Sequence, residues 1–279
     1  MSPTGPAPLS PPPAGPPVVE ARGLVRRFGE VTAVDHLDFA VRERSIFGLL
    51  GPNGAGKSTV IKMLITLLAP TEGTARVAGF DVVAQPAAVR RRIGYVPQML
   101  SADGALTGYE NLRLSAKLYG LRGPERKRAI SEALDFMGLA EVADRLVRHY
   151  SGGMIRRLEI AQSMLHRPAV LFLDEPTVGL DPVARQAVLD KLRELKDQLD
   201  TTILLTTHAM DEADEICEQV AFLHQGRLAA TGSPAELKAA LGPGSTLDDV
   251  FIHFTGFAVE PGGGYRDAGR VRRTAHRLG

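Results

Sequence analysis

The chain has 279 residues, with 33 Lys and Arg against 32 Asp and Glu, so its formal net charge is +1. Hydrophobic residues make up 44% of it, which excludes an intrinsically disordered chain, and the balanced charge argues against nucleic acid as a partner. The single cysteine, Cys217, can form neither an intramolecular disulfide nor a cysteine-cluster metal site, so the composition favours a reducing cytosolic setting.

The two ends of the chain differ in composition from its middle. Residues 1–17 hold 8 of the 19 prolines and no Lys or Arg, which predicts a disordered or polyproline-like tail and not a signal peptide. Residues 257–279 are predicted to form a second tail, which from residue 262 onward is rich in Gly and carries five Arg against one acid. A solvated end is the favoured interpretation of that segment, and a contact with anionic lipid or a partner protein is the alternative.

Between the tails, short apolar runs alternate with longer helical patterns, which predicts an α/β fold. Buried strands are predicted at residues 45–50, 169–173 and 201–207, and such runs suit the centre of a mostly parallel sheet. A helix is predicted at 58–68, directly after the first of these strands. The most apolar stretch, 60–68, is short and includes Lys62, so the chain is predicted not to span a membrane by itself.

The middle of the chain, from Thr107 to about residue 165, has a helical character that predicts an inserted helical subdomain. It opens with Thr107 and Glu110 at the spacing of a capping box. A last helix is predicted to begin at Ser233, where Pro234 occupies the first turn and Glu236 can close a second capping box.

A glycine-rich segment after the strand at 45–50 matches the phosphate-loop pattern. It consists of Gly51, Pro52, Asn53, Gly54, Ala55, Gly56, Lys57, Ser58 and Thr59. The glycines let backbone N–H groups turn toward phosphate oxygens, and the following helix adds the positive end of its dipole. Lys57 is predicted to reach the β- and γ-phosphates of a nucleotide, and Ser58 to ligate Mg²⁺. A purely structural turn would not need this Lys–Ser pair.

Two acids, Asp174 and Glu175, end the apolar run that begins at residue 169. A carboxylate at the end of a buried strand is costly unless it meets a cation or hydrogen-bond donors, and the Mg²⁺ of a nucleotide would be such a cation. Asp174 is predicted to orient the metal and Glu175 to polarise the attacking water. Taken alone, the Asp-Glu pair is more typical of an ordinary boundary between strand and loop than of a metal site. Because a phosphate loop is also present, the metal site becomes the favoured interpretation.

Three further positions are weak signals on their own. His208 follows the strand at 201–207, where a lone histidine is more often a surface or capping residue, and Gln98 in a loop is usually just solvated. Ser151, Gly152 and Gly153 precede a helical run and offer a second anion-binding helix N-terminus, although a plain N-cap is the simpler interpretation.

In this order, the motifs resemble those of the ATP-binding subunits of ABC transporters, from residue 18 to residue 256. The resemblance implies a phosphate-loop NTPase core with a mostly parallel sheet, an antiparallel β subdomain and an inserted α-helical subdomain at about residues 100–165. It implies ATP and Mg²⁺ as cofactors. The signature of that family usually ends in Gln, whereas this chain has Met154 after Gly153.

The resemblance also implies a role for each motif residue. Two subunits meet head to tail, so that Ser151, Gly152 and Gly153 of one contact the ATP held by the phosphate loop of the other. The remaining roles are an adenine-stacking ring for Phe28, a metal ligand and coupling residue for Gln98, a metal-orienting acid for Asp174, the water-polarising acid for Glu175, the D-loop for Asp181 and the γ-phosphate switch for His208.

Three segments resemble the daunorubicin- and doxorubicin-resistance branch of drug exporters more specifically. They are residues 150–158, 106–112 and 247–256. This branch implies an ATP-hydrolysing subunit that forms an ATP-dependent homodimer on the cytoplasmic face of the membrane. The homodimer is expected to power export of a drug, antibiotic or other hydrophobic metabolite through a separate multi-spanning subunit. The alternatives are another cargo such as lipid or polysaccharide, and a soluble regulatory ATPase of the same family.

Overall fold

The computed structural model describes residues 16–259 and 265–267. The strands are β1 (Val19–Phe28), β2 (Val31–Val41), β3 (Ile46–Leu50), β4 (Glu72–Val77), β5 (Phe80–Asp81), β6 (Ile93–Val96), β7 (Val170–Asp174), β8 (Thr202–Thr207), β9 (Gln219–His224), β10 (Arg227–Gly232), β11 (Phe257–Val259) and β12 (Tyr265–Asp267). The α-helices are α1 (Lys57–Leu64), α2 (Pro86–Arg90), α3 (Gly108–Leu118), α4 (Gly123–Phe136), α5 (Gly152–Met164), α6 (Pro182–Leu199), α7 (Met210–Ile216), α8 (Pro234–Leu241) and α9 (Leu247–Thr255).

A six-stranded sheet lies at the centre, in the order β10-β9-β3-β8-β7-β6. Its pairs are parallel except for β10, which runs antiparallel to β9. The three strands predicted from apolar runs are β3, β7 and β8, each within one residue of its predicted bounds. They are adjacent, so their carboxyl ends meet at one edge of the sheet, where ligands bind in open parallel sheets.

A second sheet is antiparallel, in the order β2-β1-β4-β5. The predicted fold class is therefore confirmed, with both a mostly parallel and an antiparallel sheet. Alternate residues of the central strands face two different cores: Leu171 and Leu173 lie on the side of α3–α6, whereas Phe172 packs with α1 and the antiparallel sheet. Burial on both faces explains why these strands are continuous apolar runs.

Three helices, α3, α4 and α5, occupy residues 108–164 and pack through buried side chains such as Leu112, Ile130 and Leu158. The capping box at Thr107 and Glu110 is confirmed, because each side chain accepts a hydrogen bond from the other's backbone N–H. The second predicted capping box, at Ser233 and Glu236, likewise begins α8.

The helix predicted at 58–68 is shorter than expected. It begins at Lys57 and ends at Leu64, because Thr66 adopts a left-handed backbone conformation with φ of 67°, which an α-helix cannot continue. Leu67, inside the predicted range, is consequently exposed.

The carboxyl-terminal part docks on the sheet through α9, whose Phe251 lies 5.8 Å from Phe222 of β9 between ring centroids. In the predicted second tail, β11 and β12 pair antiparallel. The described residues do not include the rest of that tail, residues 260–264 and 268–279, or residues 1–15 of the first tail.

In the part of the chain that the structure describes, no helix has both the length and the apolar character needed to cross a bilayer.

Candidate functional site

The glycine-rich segment connects β3 to α1, as its pattern requires. Gly51 and Gly56 have φ values of 149° and 107°, which L side chains rarely adopt. A Cβ atom on Gly56 would also lie 2.5 Å from the carbonyl oxygen of Ala33. Gly56 is the N-cap of α1 and provides no side-chain cap, so the N–H groups of the first turn remain available to an anion.

This loop forms one wall of an open cavity of about 270 Å³. The cavity is lined by Ala33, Pro52, Asn53, Gly54, Gly56, Lys57, Ser58, Thr59, Gln98 and Glu175. The structure thus brings the phosphate loop, the loop after β6 and the carboxyl end of β7 together. Sequence reasoning missed Ala33, since an alanine on a distant strand carries no signal of its own.

Lys57, the first residue of α1, is buried and points back into the loop. Its Nζ atom donates to the carbonyl oxygens of Gly51 at 2.5 Å and Pro52 at 3.2 Å. It also lies 3.1 Å from Oε1 of Glu175, with both side chains only 5–6% exposed. Water screens such a pair weakly, so this cation can act strongly on an anion that enters the cavity.

Asp174 ends β7 in a cluster of hydroxyl groups. Its Oδ1 atom accepts a hydrogen bond from Thr206 Oγ1 at 2.6 Å and one from Ser58 Oγ at 3.2 Å. Thr206 is opposite Asp174 in the parallel pairing of β7 and β8. It was missed from the sequence because nothing local distinguishes it from its strand neighbours.

Glu175 has an unusual backbone, with φ of 51°. Its N–H donates to the carbonyl oxygen and the hydroxyl of Thr206, which fixes the side chain at the end of β7. Its Oε2 atom lies 2.8 Å from Nδ1 of His208. Although Oε1 is near Lys57, the contact lacks hydrogen-bond geometry, and this buried oxygen has no hydrogen-bond partner. Glu175 therefore keeps an acceptor for a further donor in the cavity.

The residues present fit a magnesium ion that arrives with phosphate groups. Ser58 and Asp174 supply the hard oxygen donors that Mg²⁺ prefers, and Mg²⁺ commonly binds through one or two carboxylates plus substrate phosphates. Across residues 16–259 and 265–267, no group of three or more His, Cys, Asp or Glu side chains could hold a metal ion. The chain thus offers a partial coordination sphere that a phosphate would complete.

Gln98 lies two residues after β6 and lines the cavity with an exposed side chain. Tyr95 lies on β6, three residues before Gln98. Burial, with a smaller effect from the negative charge of Asp174, raises the pKa of Tyr95. The Tyr95 hydroxyl therefore stays neutral at physiological pH.

Ser151, Gly152 and Gly153 do not line this cavity. Ser151 is the N-cap of α5 and accepts a hydrogen bond from the N–H of Met154 at 3.3 Å, so the N-cap interpretation holds for its side chain. A Cβ atom on Gly153 would lie 2.6 Å from Cβ of Ala184 on α6, which requires glycine there.

Phe28 and Asp181 also lie apart from the cavity lining. Phe28 is half exposed, and the guanidinium of Arg26 stacks 4.5 Å from its ring centroid. Asp181 caps α6 by accepting hydrogen bonds from the N–H groups of Val183 and Ala184.

A buried polar network that sequence reasoning missed joins the segments after Glu175 and His208. Thr177 Oγ1 donates to Oε2 of Glu212 at 2.6 Å, and Nε of Arg185 lies 3.3 Å from Oε1 of Glu212. Burial raises the pKa of Glu212. The network ties α6 and α7 together beside the site.

The strand, phosphate loop, helix and buried acids define a phosphate-loop nucleotide-binding domain. A solved structure described as an ATP binding subunit of an ABC transporter matches it with a TM-score of 0.76 at 32% identity, over 85% of this chain and 99% of that chain. The ABC transporter family model matches residues 34–178, just over half of the chain. The chain therefore belongs to the ABC transporter family, as one of its ATP-binding subunits, for which ATP hydrolysis coupled to transport is the expected activity.

One curated relative confirms the more specific resemblance to drug-resistance proteins, and a second is described as part of a probable multidrug transporter. The chain is 49% identical to the daunorubicin/doxorubicin resistance ATP-binding protein DrrA of Streptomyces peucetius, over 80% of this chain and 68% of that protein. It is 41% identical to the probable multidrug ABC transporter ATP-binding protein YbhF of Escherichia coli, over 84% of this chain and 41% of that protein. The chain thus spans less than half the length of this second relative.

Proposed function

We propose that the chain hydrolyses ATP to power export of a drug, antibiotic or other hydrophobic metabolite through a separate membrane subunit. One observation carries the proposal: Lys57, Gln98 and Glu175 meet in one cavity at the carboxyl edge of the parallel sheet. Asp174 accepts a hydrogen bond from Ser58 of the cavity wall, and His208 contacts Glu175. The class of cargo is supported by the name of the Streptomyces peucetius relative, which concerns resistance to daunorubicin and doxorubicin, and by that of the Escherichia coli relative, a probable multidrug transporter protein.

Phosphate binding is assigned to the loop and α1. The free N–H groups at the start of α1 and the cation of Lys57 would hold the β- and γ-phosphates. To do so, Lys57 must exchange its contacts with two loop carbonyl groups and Glu175 for phosphate oxygens. Ser58, Asp174 and Gln98 would hold Mg²⁺, which when bound neutralises phosphate charge and orients the oxygens.

Water activation is assigned to Glu175, which lines the cavity and whose buried Oε1 has no hydrogen-bond partner. Once Lys57 turns to the phosphates, this carboxylate is free to accept a hydrogen bond from the attacking water. His208, 2.8 Å from Oε2, holds the orientation of the carboxylate and would contact the γ-phosphate.

A head-to-tail homodimer would complete each site. Ser151 and Gly152 are exposed and lie away from the cavity of their own chain. The start of α5 can therefore face the ATP of a second copy, where its dipole would attract the γ-phosphate. Phe28 is proposed to stack on adenine with the face opposite Arg26, and Asp181 to shape the D-loop at the dimer contact.

Domain limits follow from these assignments. Residues 18–256 would form the ATPase domain, with the helical subdomain at about residues 100–165 and tails at residues 1–17 and 257–279. The domain would lie at the cytoplasmic face of the membrane, bound to its multi-spanning partner.

The proposal is tested by purifying the tagged chain from its native membranes and measuring ATPase activity with and without the captured partner. A multi-spanning protein that changes turnover and restores drug efflux in vesicles is expected. An active chain that captures no membrane protein would refute the export subunit and favour a regulatory ATPase.

A matched pair of lysines on α1 tests the nucleotide site itself. Lys57→Ala should abolish nucleotide binding, since it removes a direct charge-assisted contact. Lys62→Ala should leave binding unchanged, because Lys62 lies in the last turn of the same helix and is exposed. Equal affinities of the two variants would contradict the role given to Lys57.

A further inference from the structure

Helix α5, which begins at the signature residue Ser151, carries a buried ion pair about one turn further along. Arg156 Nη1 lies 3.0 Å from Oε2 of Glu159, and both side chains are at most 2% exposed. Neither residue belongs to the nucleotide site. Replacing a buried pair of charges by packed apolar residues is often neutral or stabilising, so burial alone gives no reason for this pair.

Among the described residues, the side chains of the pair form hydrogen bonds outside α5 only with the glutamine loop, which we define as residues 97–102. Arg156 donates from Nη1 to the carbonyl oxygen of Pro97 at 2.7 Å and from Nη2 to that of Gln98 at 2.8 Å. Its Nε atom is buried without a hydrogen-bond partner, so the guanidinium is oriented toward the loop at the cost of one unsatisfied donor.

Glu159 holds the other end of the same loop. Its Oε1 atom accepts hydrogen bonds from the N–H of Ser101, from the Ser101 hydroxyl at 3.1 Å and from the N–H of Ala102 at 3.2 Å. Between the two attachment points, Met99 and Leu100 are exposed. The pair therefore fixes both ends of a loop whose two middle residues are exposed to solvent.

We propose that Arg156 and Glu159 are positioning residues that hold Gln98 at the cavity and make it move with α5. The proposal rests on the function proposed above, in which Gln98 is a Mg²⁺ ligand and Ser151 contacts the ATP of the second subunit. The guanidinium of Arg156 binds the two carbonyl groups through two separate nitrogens held in a rigid plane, a geometry that the single Nζ atom of a lysine on its flexible stem does not reproduce. Any shift of α5 on engagement of the partner's ATP is thus transmitted to the backbone of Gln98 in the site of its own chain.

The test compares Arg156→Lys with Arg157→Lys. Arg156→Lys keeps a positive charge beside Glu159, so no lone charge is buried. Arg157 is the matched control, since it lies on the same helix and donates to the carbonyl oxygen of Met137, away from the glutamine loop. ATPase turnover is measured as a function of ATP and of Mg²⁺, and thermal unfolding is followed in parallel.

We expect Arg156→Lys to lower kcat about tenfold or more and to raise the Mg²⁺ concentration for half-maximal activity, with nucleotide affinity in EDTA unchanged. Arg157→Lys should change neither quantity by more than about twofold. The decisive measurement is a double-mutant cycle with Gln98→Ala, in which Arg156→Lys should cause no further loss. Independent, multiplying losses would overturn the proposal.

Two further measurements separate the possible failures. If Arg156→Lys does not fold, the double variant Arg156→Met with Glu159→Gln removes both charges and is put through the same cycle. Hydrogen exchange in residues 97–102 needs no activity and should accelerate in the variant; unchanged exchange would overturn the proposal even in an active enzyme. A wild-type chain without ATPase activity would instead refute the proposed function, and this proposal with it.

Discussion

Replacing Glu175 by Gln separates the binding of ATP from its hydrolysis. The variant keeps the size of the side chain, and the backbone N–H of residue 175 keeps its hydrogen bonds to Thr206. What it removes is the negative charge 3.1 Å from Nζ of Lys57 and the acceptor that is proposed to polarise water. An amide is far less basic than a carboxylate, so turnover should fall by about 10² or more.

The same variant should not weaken ATP binding, although it slows hydrolysis. At 3.1 Å, the attraction between Lys57 and Glu175 is on the order of 5 kcal/mol in an effective dielectric of about 20. Desolvation of the two buried charges offsets much of this attraction. Since the phosphates must displace Glu175 from Lys57, loss of the carboxylate should leave the dissociation constant unchanged or lower it by up to about tenfold, or about 1.4 kcal/mol.

Binding is measured by titrating a fluorescent ATP analogue in EDTA, and the chemical step by single-turnover hydrolysis with Mg²⁺. Glu194→Gln serves as the control, because Glu194 forms a partly exposed ion pair with Lys191 on α6, away from the nucleotide cavity, and ion pairs in contact with solvent contribute little. If the affinity of Glu175→Gln fell in parallel with its turnover, both the assigned role of Glu175 and its competition with phosphate for Lys57 would be wrong.

Three other changes have outcomes that the structure determines. Gly56→Ala forces a residue with a Cβ atom to φ of 107° against the carbonyl oxygen of Ala33. Differential scanning calorimetry should therefore show a loss of at least about 2 kcal/mol in the free energy of unfolding, and the variant should bind no nucleotide. Burial raises the pKa of the Cys217 thiol, so alkylation at pH 8 should be at least about 10³-fold slower in the folded protein than in denaturant, and fast labelling of folded protein would contradict that burial. Burial also raises the pKa of Glu212, so its contribution to stability is present below its ordinary pKa and is lost as pH rises through the folded value. The melting temperature of the wild type should therefore fall relative to Glu212→Gln between pH 4 and pH 7, and parallel curves would show that Glu212 does not titrate there.

Much of the fold and site could be predicted from the sequence because the responsible physics is local. The phosphate loop needs glycines where the backbone has positive φ and a Lys–Ser pair at the start of a helix, and these stand next to one another in the chain. Capping boxes at Thr107 and Ser233 were predicted for the same reason, since a cap and its partner are three residues apart. Strands buried on both faces could be recognised as continuous apolar runs.

The tertiary structure decided the contacts between residues that are distant in sequence. Thr206 supports both acids only because β7 and β8 pair in a register that sets it opposite Asp174, and a register of parallel strands leaves no local pattern. Arg156 and Glu159 are spaced as an ordinary helical ion pair, and only the packing of α5 against the glutamine loop turns their hydrogen bonds toward Gln98. The sequence therefore determined which chemistry the chain can carry, and long-range packing determined how its groups are held.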